Sequence, residues 1–202
     1  FSAGAPATIL MRLAGDKLSQ AVGLAVVVEP LPGAGGLKAA QTVMRSDPDG
    51  HTLLYATGTS IVTTPQLVKE TPYTIKDLTP IMIVSRAALA LIVGKSFPAN
   101  NIKELVAYAH ANPTKLSYGT NGVGGTYHLE MELLKKQYKM DITHIPFKGG
   151  NLALLETVAG HLPIAYAPLS SALQQGNKVK ILAVLGNERR SDAPNVPSMG
   201  EQ

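Results

Sequence analysis

Residues 116–129 read LSYGTNGVGGTYHL, and the rest of the chain is organised around this stretch. Leu116 to Tyr118 reads as the end of a short apolar strand. Gly119, Gly122, Gly124 and Gly125 make a loop with almost no side-chain bulk. Thr126 stands where it can cap a helix running through Leu129, Leu133 and Leu134. A strand, a glycine loop and a helix start in succession gather free backbone N–H groups at the positive end of a helix dipole, which favours an anion. The plainer reading is a tight strand-to-helix turn that needs glycine for positive φ. Four glycines in seven residues ahead of a threonine favour ligand contact.

Working outward, the same alternation recurs. Ser2 to Thr8 is a loop feeding a helix, with Thr8 as cap, Leu10, Leu13, Ala14, Leu18 and Ala21 on one face, and Gly23 as terminator. Ala25 to Glu29 is an apolar run of the kind found in buried parallel strands. Pro30 to Gly36 is a second glycine loop, and Leu37, Ala40, Val43 and Met44 share one face of a second helix. Pro48-Asp49-Gly50 signals a turn. Thr52–Ala56 is expected as a strand, with Thr57-Gly58-Thr59-Ser60 as its polar exit loop.

Ile81–Val84 and Leu89–Val93 read as strands, and Ser96–Asn100 as a connection between domains. Asn101 with Glu104 approaches a capping box for a helix with Ile102, Leu105, Val106 and Ala109 on one face. After the central stretch come a strand at Ile142–Pro146 and its exit loop Phe147–Gly150. A helix at Leu152–Val158, a strand at Ile164–Ala167, a short helix at Ser170–Gln175 and a strand at Ile181–Val184 complete the pattern. Such alternation predicts a parallel α/β architecture, in which ligand loops sit at the carboxyl ends of strands. The loops Ser2–Thr8, Pro30–Gly36, Thr57–Ser60, Gly119–Thr126 and Phe147–Gly150 fall there.

Composition and motifs exclude several chemistries. Hydrophobic residues make up 45% and charged residues 16% of the 202, which is a globular balance with ample core. The net charge of +4 is scattered, with Lys135–Lys136 and Arg189–Arg190 as solvated doublets, so there is no nucleic-acid footprint. Without cysteine there is neither a disulfide nor a Cys-ligated metal. Gly33-Ala34-Gly35-Gly36-Leu37 fails the dinucleotide fingerprint because Lys38 fills the last glycine position. P-loop and nucleophile-elbow motifs are absent.

His51, His110, His128, His144 and His161 lack metal spacing and read as hydrogen-bonded structural residues. His128 is the exception, because it falls in the first turn after the glycine loop. The candidate loops hold no Asp or Glu, so carboxylate acid–base work is not expected. The sequence therefore predicts no catalytic residue, no metal and no cofactor. It predicts a binding protein offering backbone N–H groups and the side chains of Ser2, Thr8, Thr57, Thr59, Ser60, Thr120, Asn121 and Thr126.

Five runs, in order, resemble the Bug-type substrate-binding proteins of tripartite tricarboxylate transporters. They are FSAGAPATI from Phe1, VVVEPLPGAGG from Val26, PDGHTLLYATG from Pro48, NPTKLSYGTNGVGGTYHLEMELL from Asn112 and DITHIPFKGG from Asp141. The resemblance implies a periplasmic, two-domain Venus-flytrap fold of type II that closes on a small organic acid and serves membrane transporter subunits. It implies first-lobe contacts from Ser2, Ala3, Gly4, Ala5, Thr8, Thr57, Gly58 and Thr59. Second-lobe contacts would come from Thr120, Asn121, Gly122, Thr126 and His128, with Lys148 and Gly149 nearby. The Pro32–Gly36 loop is expected to shape the cleft without touching ligand.

The sequence departs from the family at Ala3 and Ala5, where Pro and Gly are usual, and at Thr8, where Asp is common. Pro163 and Ala167 replace frequent acids. With no acidic partner for an ammonium group, the expected ligand is a mono- or dicarboxylate without an amino group. The expected division is a first lobe of residues 1–97, with 187–202 returning to it, and a second of 98–186. The fold's first strand and closing segment are expected to lie outside the sequence, and the protein is expected to be a monomer. The alternative is a ligand-sensing effector domain of the same fold.

Overall fold

The computed structural model describes residues 6–31, 36–67, 71, 73–147 and 150–202. The chain divides into two units, Phe1–Ile81 and Met82–Gln202.

The second unit is built on one sheet. Its strands are β1 (Leu89–Gly94), β2 (Ser117–Thr120), β3 (Thr143–Pro146), β4 (Ile164–Pro168) and β5 (Val179–Val184), in spatial order β3-β2-β4-β1-β5. β2 pairs in parallel with β3 and β4, whereas β1 runs antiparallel to both β4 and β5. The sheet is thus mixed rather than all parallel. The reason is physical: the run Leu89–Val93 is buried on both faces, and such burial encodes no strand direction.

Helices cover both faces. Leu91, Val93, Tyr118, Ile164 and Tyr166 pack with Leu105, Ala109, Met131 and Leu134 of α4 (Ile102–Ala111) and α5 (Thr126–Tyr138). Ala90, Ile92, Ala165 and Ala167 pack with Ala153, Leu154, Leu169 and Ala172 of α6 (Gly150–Val158) and α7 (Leu169–Gln174). The register slips between Leu91 and Ile92, which oppose Ala183 and Ile181, so Leu182 is the extra residue of a bulge. That slip places the consecutive Leu182 and Ala183 in the same core.

The helix caps follow the sequence with small shifts. Asn101 Oδ1 accepts from the Glu104 N–H at 2.8 Å, while Glu104 reaches back to the N–H of Asn100, one residue earlier than a capping box requires. At the start of α5 the cap is Gly125, not Thr126, and no side chain caps it. The helix ends on Lys139 in the left-handed region, with Lys135 and Lys136 in its last turn, where the dipole favours cations.

The second unit takes in chain on either side of its helices. Residues 82–97 enter the second unit through β1. Residues 187–202 run back along β5: Val184 N–H donates to Pro197 O, Gly200 N–H to Gly186 O, and Gln202 Nε2 to Leu182 O.

The first unit holds α1 (Pro6–Val22), α2 (Leu37–Met44), a π-turn at Thr59–Thr63 leading into α3 (Thr64–Leu67), and a 3-10 turn at Ile75–Asp77. Among its described residues no strand forms, so the strands expected at Ala25–Glu29 and Thr52–Ala56 are corrected to irregular chain, as is the one expected at Ile81–Val84 across the division between the units. A strand is a pairing, and an apolar run supplies only one side of it. The alternation survives nonetheless: a Cβ on Gly15 would lie 3.3 Å from side-chain carbons of both Val26 and Val28, while Val27 is 86% exposed. Helix α1 therefore rests its Gly15 side on this segment. The face expected to be buried does not pack, for Leu13 and Leu18 are exposed and Thr8 is buried instead.

Candidate functional site

Parallel pairing sets Thr120 opposite Pro146, and the Phe147 N–H donates to Thr120 O at 2.9 Å. The exit loops of β2 and β3 therefore start side by side at one sheet end, where open α/β sheets bind ligands. The loop Asn121–Gly125 turns through Gly122 at φ +125° and Gly124 at φ +74°, a region open to glycine. Gly125 has ordinary extended backbone and lies against the Asn121 side chain: a Cβ there would meet Asn121 Oδ1 at 2.7 Å. Gly119 belongs to β2 rather than the loop. It is needed because Leu162, Ala153 and Phe147 close over it.

Two loop N–H groups are held by side chains. Gly122 N–H donates to Thr120 Oγ1 at 3.2 Å, and Gly124 N–H donates to His128 Nδ1 at 3.1 Å. No backbone carbonyl among the described residues accepts from the N–H groups of Asn121, Val123 or Gly125. The placement of His128 in the first helical turn thus has a purpose that the sequence reading did not foresee: it holds the loop.

Behind the loop stands a column of rings. His128 stacks on His144 at 4.1 Å between centroids, and His144 stacks on Tyr118 at 4.9 Å. Lys135 Nζ lies 5.5 Å from the far ring's centroid. Tyr118 O–H donates to Glu132 Oε1 at 2.6 Å, and Lys135 Nζ donates to the same oxygen at 2.7 Å. Thr120 Oγ1 lies 2.7 Å from His144 Nε2.

Burial, then the neighbouring His128 charge, lowers His144 to about 4. Burial works to raise the Glu132 carboxyl, but hydrogen bonds from Lys135 and Tyr118 outweigh it and hold it below its ordinary value. Burial, and then the bond to Glu132, pushes the Tyr118 phenol well up. Sequence reasoning set His144 aside as structural and treated Tyr118 as a strand end. Both sit at facing positions of a parallel pair, and only the register could reveal that.

In the first unit the expected strand-exit loop is instead a helix start. Gly58 is the cap of the Thr59–Thr63 turn. Thr57 N–H donates to Ser60 Oγ, which donates back to Thr57 O, both at 3.0 Å. Ser60 is buried, and Gly36 is tight against it: a Cβ on Gly36 would lie 2.6 Å from Ser60 Cβ. Thr57 and Gly58 are exposed, Thr59 is half-buried, and Thr8 is buried in α1. Ser2, Ala3, Gly4, Ala5, Lys148 and Gly149, with the loop residues Pro32, Gly33, Ala34 and Gly35, lie outside the described residues. Among the described residues no cluster of three metal-ligating side chains occurs, and no helix is long and apolar enough to cross a membrane.

The profile of the tripartite tricarboxylate transporter family receptor matches residues 10–202, and the chain belongs to that family. A UPF0065 protein of Bordetella pertussis is 36% identical over 203 residues, covering 100% of this chain and 63% of the relative. The chain spans about three fifths of the length of the curated relatives it matches. Among solved structures, MatC from Rhodopseudomonas palustris with bound malate is 27% identical with a TM-score of 0.85, over 100% of this chain and 69% of that one. An R. palustris protein with adipate is 28% identical with a TM-score of 0.87, over 100% of this chain and 68% of that one. The fold is the α/β fold of periplasmic binding proteins. The family is one of solute-binding receptors rather than enzymes, and its solved relatives include periplasmic binding proteins.

Proposed function

We propose that the chain captures a mono- or dicarboxylate without an amino group in the periplasm and delivers it, as a monomer, to the membrane subunits of a tripartite tricarboxylate transporter. The observation that carries this reading is the loop Asn121–Gly125 at the start of α5. Its N–H groups at Asn121, Val123 and Gly125 donate to no backbone carbonyl among the described residues, and they stand at the positive end of a thirteen-residue helix. On this reading Thr120, Asn121, Gly122, Thr126 and His128 serve the second-lobe side, with Lys148 and Gly149. Ser2, Ala3, Gly4, Ala5, Thr8, Thr57, Gly58 and Thr59 serve the first, and the two lobes close around the acid.

The absence of an amino group follows from charge. Glu132, a carboxylate close to the loop, is already engaged by Tyr118 and Lys135. An ammonium group entering the site would be stripped of water without a free counter-charge, at a cost of several kcal/mol. The malate and adipate of the two R. palustris proteins are dicarboxylates without an amino group. Calorimetric titration with succinate and with aspartate tests the reading. Succinate is expected to bind tighter. Aspartate binding tighter by about tenfold, or about 1.4 kcal/mol, overturns it.

A further inference from the structure

We propose that His128 and His144 form a proton-sensitive clamp on the Asn121–Gly125 loop, acting as positioning residues that set the loop's shape and release it in acid. The consequence for capture rests on the carboxylate reading above. The clamp itself rests on geometry. Each loop N–H that has a side-chain acceptor among the described residues is tied to one stacked unit. Gly124 N–H donates to His128 Nδ1, and Gly122 N–H donates to Thr120 Oγ1, which is 2.7 Å from His144 Nε2. The two imidazoles lie 4.1 Å apart with planes inclined by 22°.

A proton on His128 disturbs the loop. His128 Nδ1 accepts from Gly124 only while it carries no proton, so protonation there turns an acceptor into a donor facing a donor. The Thr120 hydroxyl donates to Gly122 O at 3.1 Å, and its oxygen stands 2.7 Å from His144 Nε2. A protonated His144 donates to that oxygen and leaves the hydroxyl proton on the Gly122 carbonyl, so acid release runs through His128. Two charged rings at stacking distance repel each other, so a first proton opposes a second. The charged and titratable groups facing the pair are Tyr118 from β2 and Glu132 and Lys135 from α5, among the described residues. Glu132 Oε1 is 4.0 Å from His128 Nε2 and is already bound by Tyr118 and Lys135. Burial favours the neutral form of the His144 ring.

The test uses the whole chain labelled with ¹⁵N-glycine, and succinate as probe. The Gly124 amide proton is followed by NMR from pH 8 to about pH 4, a range spanning the ordinary histidine titration, and succinate binding is titrated at the same pH values. In the parent protein the Gly124 amide is expected to be shifted downfield and slow to exchange at high pH, and to lose both properties in acid as succinate binding weakens. His128→Phe keeps a ring on the stack but offers no acceptor. It is expected to abolish the amide signature at every pH and to weaken succinate by about tenfold, the size of one good hydrogen bond. His128→Asn offers an acceptor that does not titrate. It is expected to keep the shifted, slowly exchanging Gly124 amide and to hold it flat from pH 8 to about pH 4.

Equal loss of the Gly124 amide signature in His128→Asn and His128→Phe, with both variants folded by circular dichroism, overturns the clamp. So does a Gly124 amide that responds neither to pH nor to His128→Phe, whatever succinate does. A parent protein whose amide responds as described but which binds no succinate at any pH overturns the carboxylate reading and leaves the clamp standing.

Discussion

Replacing Gly119 by alanine separates two accounts of the central stretch. As a loop glycine serving an anion, Gly119 would tolerate a methyl group with little loss of stability. The structure places it inside β2, beneath α6. An added Cβ would lie 2.9 Å from Ala153 Cβ and 3.0 Å from Phe147 Cε2, and would collide with Leu162 Cδ2. Carbon atoms pack best at about 3.5–4.0 Å, so Ala153 must retreat by roughly half an ångström. Leu162 can change rotamer, but Ala153 is fully buried on a helix whose Thr157 hydroxyl donates to the Ala153 carbonyl at 2.9 Å.

Overpacking of this kind costs about 1–3 kcal/mol. The alanine recovers up to about 1 kcal/mol by restricting the unfolded chain. The net expectation is a loss of about 1–2 kcal/mol, or a fall in Tm of about 2–8 °C for a chain of this length. Thermal unfolding followed by circular dichroism measures it. A Tm equal to or above the parent's would show that the sheet–helix interface over Gly119 is not as tight as described.

Removing the Asn101 side-chain acceptor in Asn101→Ala should cost about 0.5–2 kcal/mol, read as a lower urea midpoint with an unchanged slope. An unchanged midpoint would mean that the 2.8 Å bond to the Glu104 N–H contributes nothing. Stability should also fall in mild acid. His144 titrates near 6.5 in the unfolded chain and at about 4 in the folded one, so between those values the unfolded chain binds more protons and stability falls as pH falls. Because the ring is only partly buried, solvent screens much of this effect. Urea midpoints across that window should decline less in His144→Gln than in the parent. Identical slopes would remove His144 as a source of the acid sensitivity.

The sequence by itself determined the local elements of the second unit and the chemistry of its loop. Helices α4, α5 and α6 and strands β1 to β5 form within a few residues of where periodicity put them, because that signal is carried by neighbours in the chain. The absence of Asp and Glu from the stretch Gly119–Thr126 is likewise a property of residue identity. The ordered runs around Asn112 and Asp141 carried the family.

Tertiary structure alone decided the rest. Strand direction and pairing depend on partners distant in sequence, so β1 came out antiparallel and the apolar run Ala25–Glu29 formed no strand. The tail 187–202 could be assigned only from its hydrogen bonds to the edge of β5. Gly119 belongs to a sheet because Ala153 and Leu162 come down upon it, a contact that a run of glycines does not encode. The partnership of His128 and His144 spans sixteen positions of sequence and two elements. Parallel register sets Tyr118 beside His144 on one side, and the first turn of α5 brings His128 onto His144 on the other.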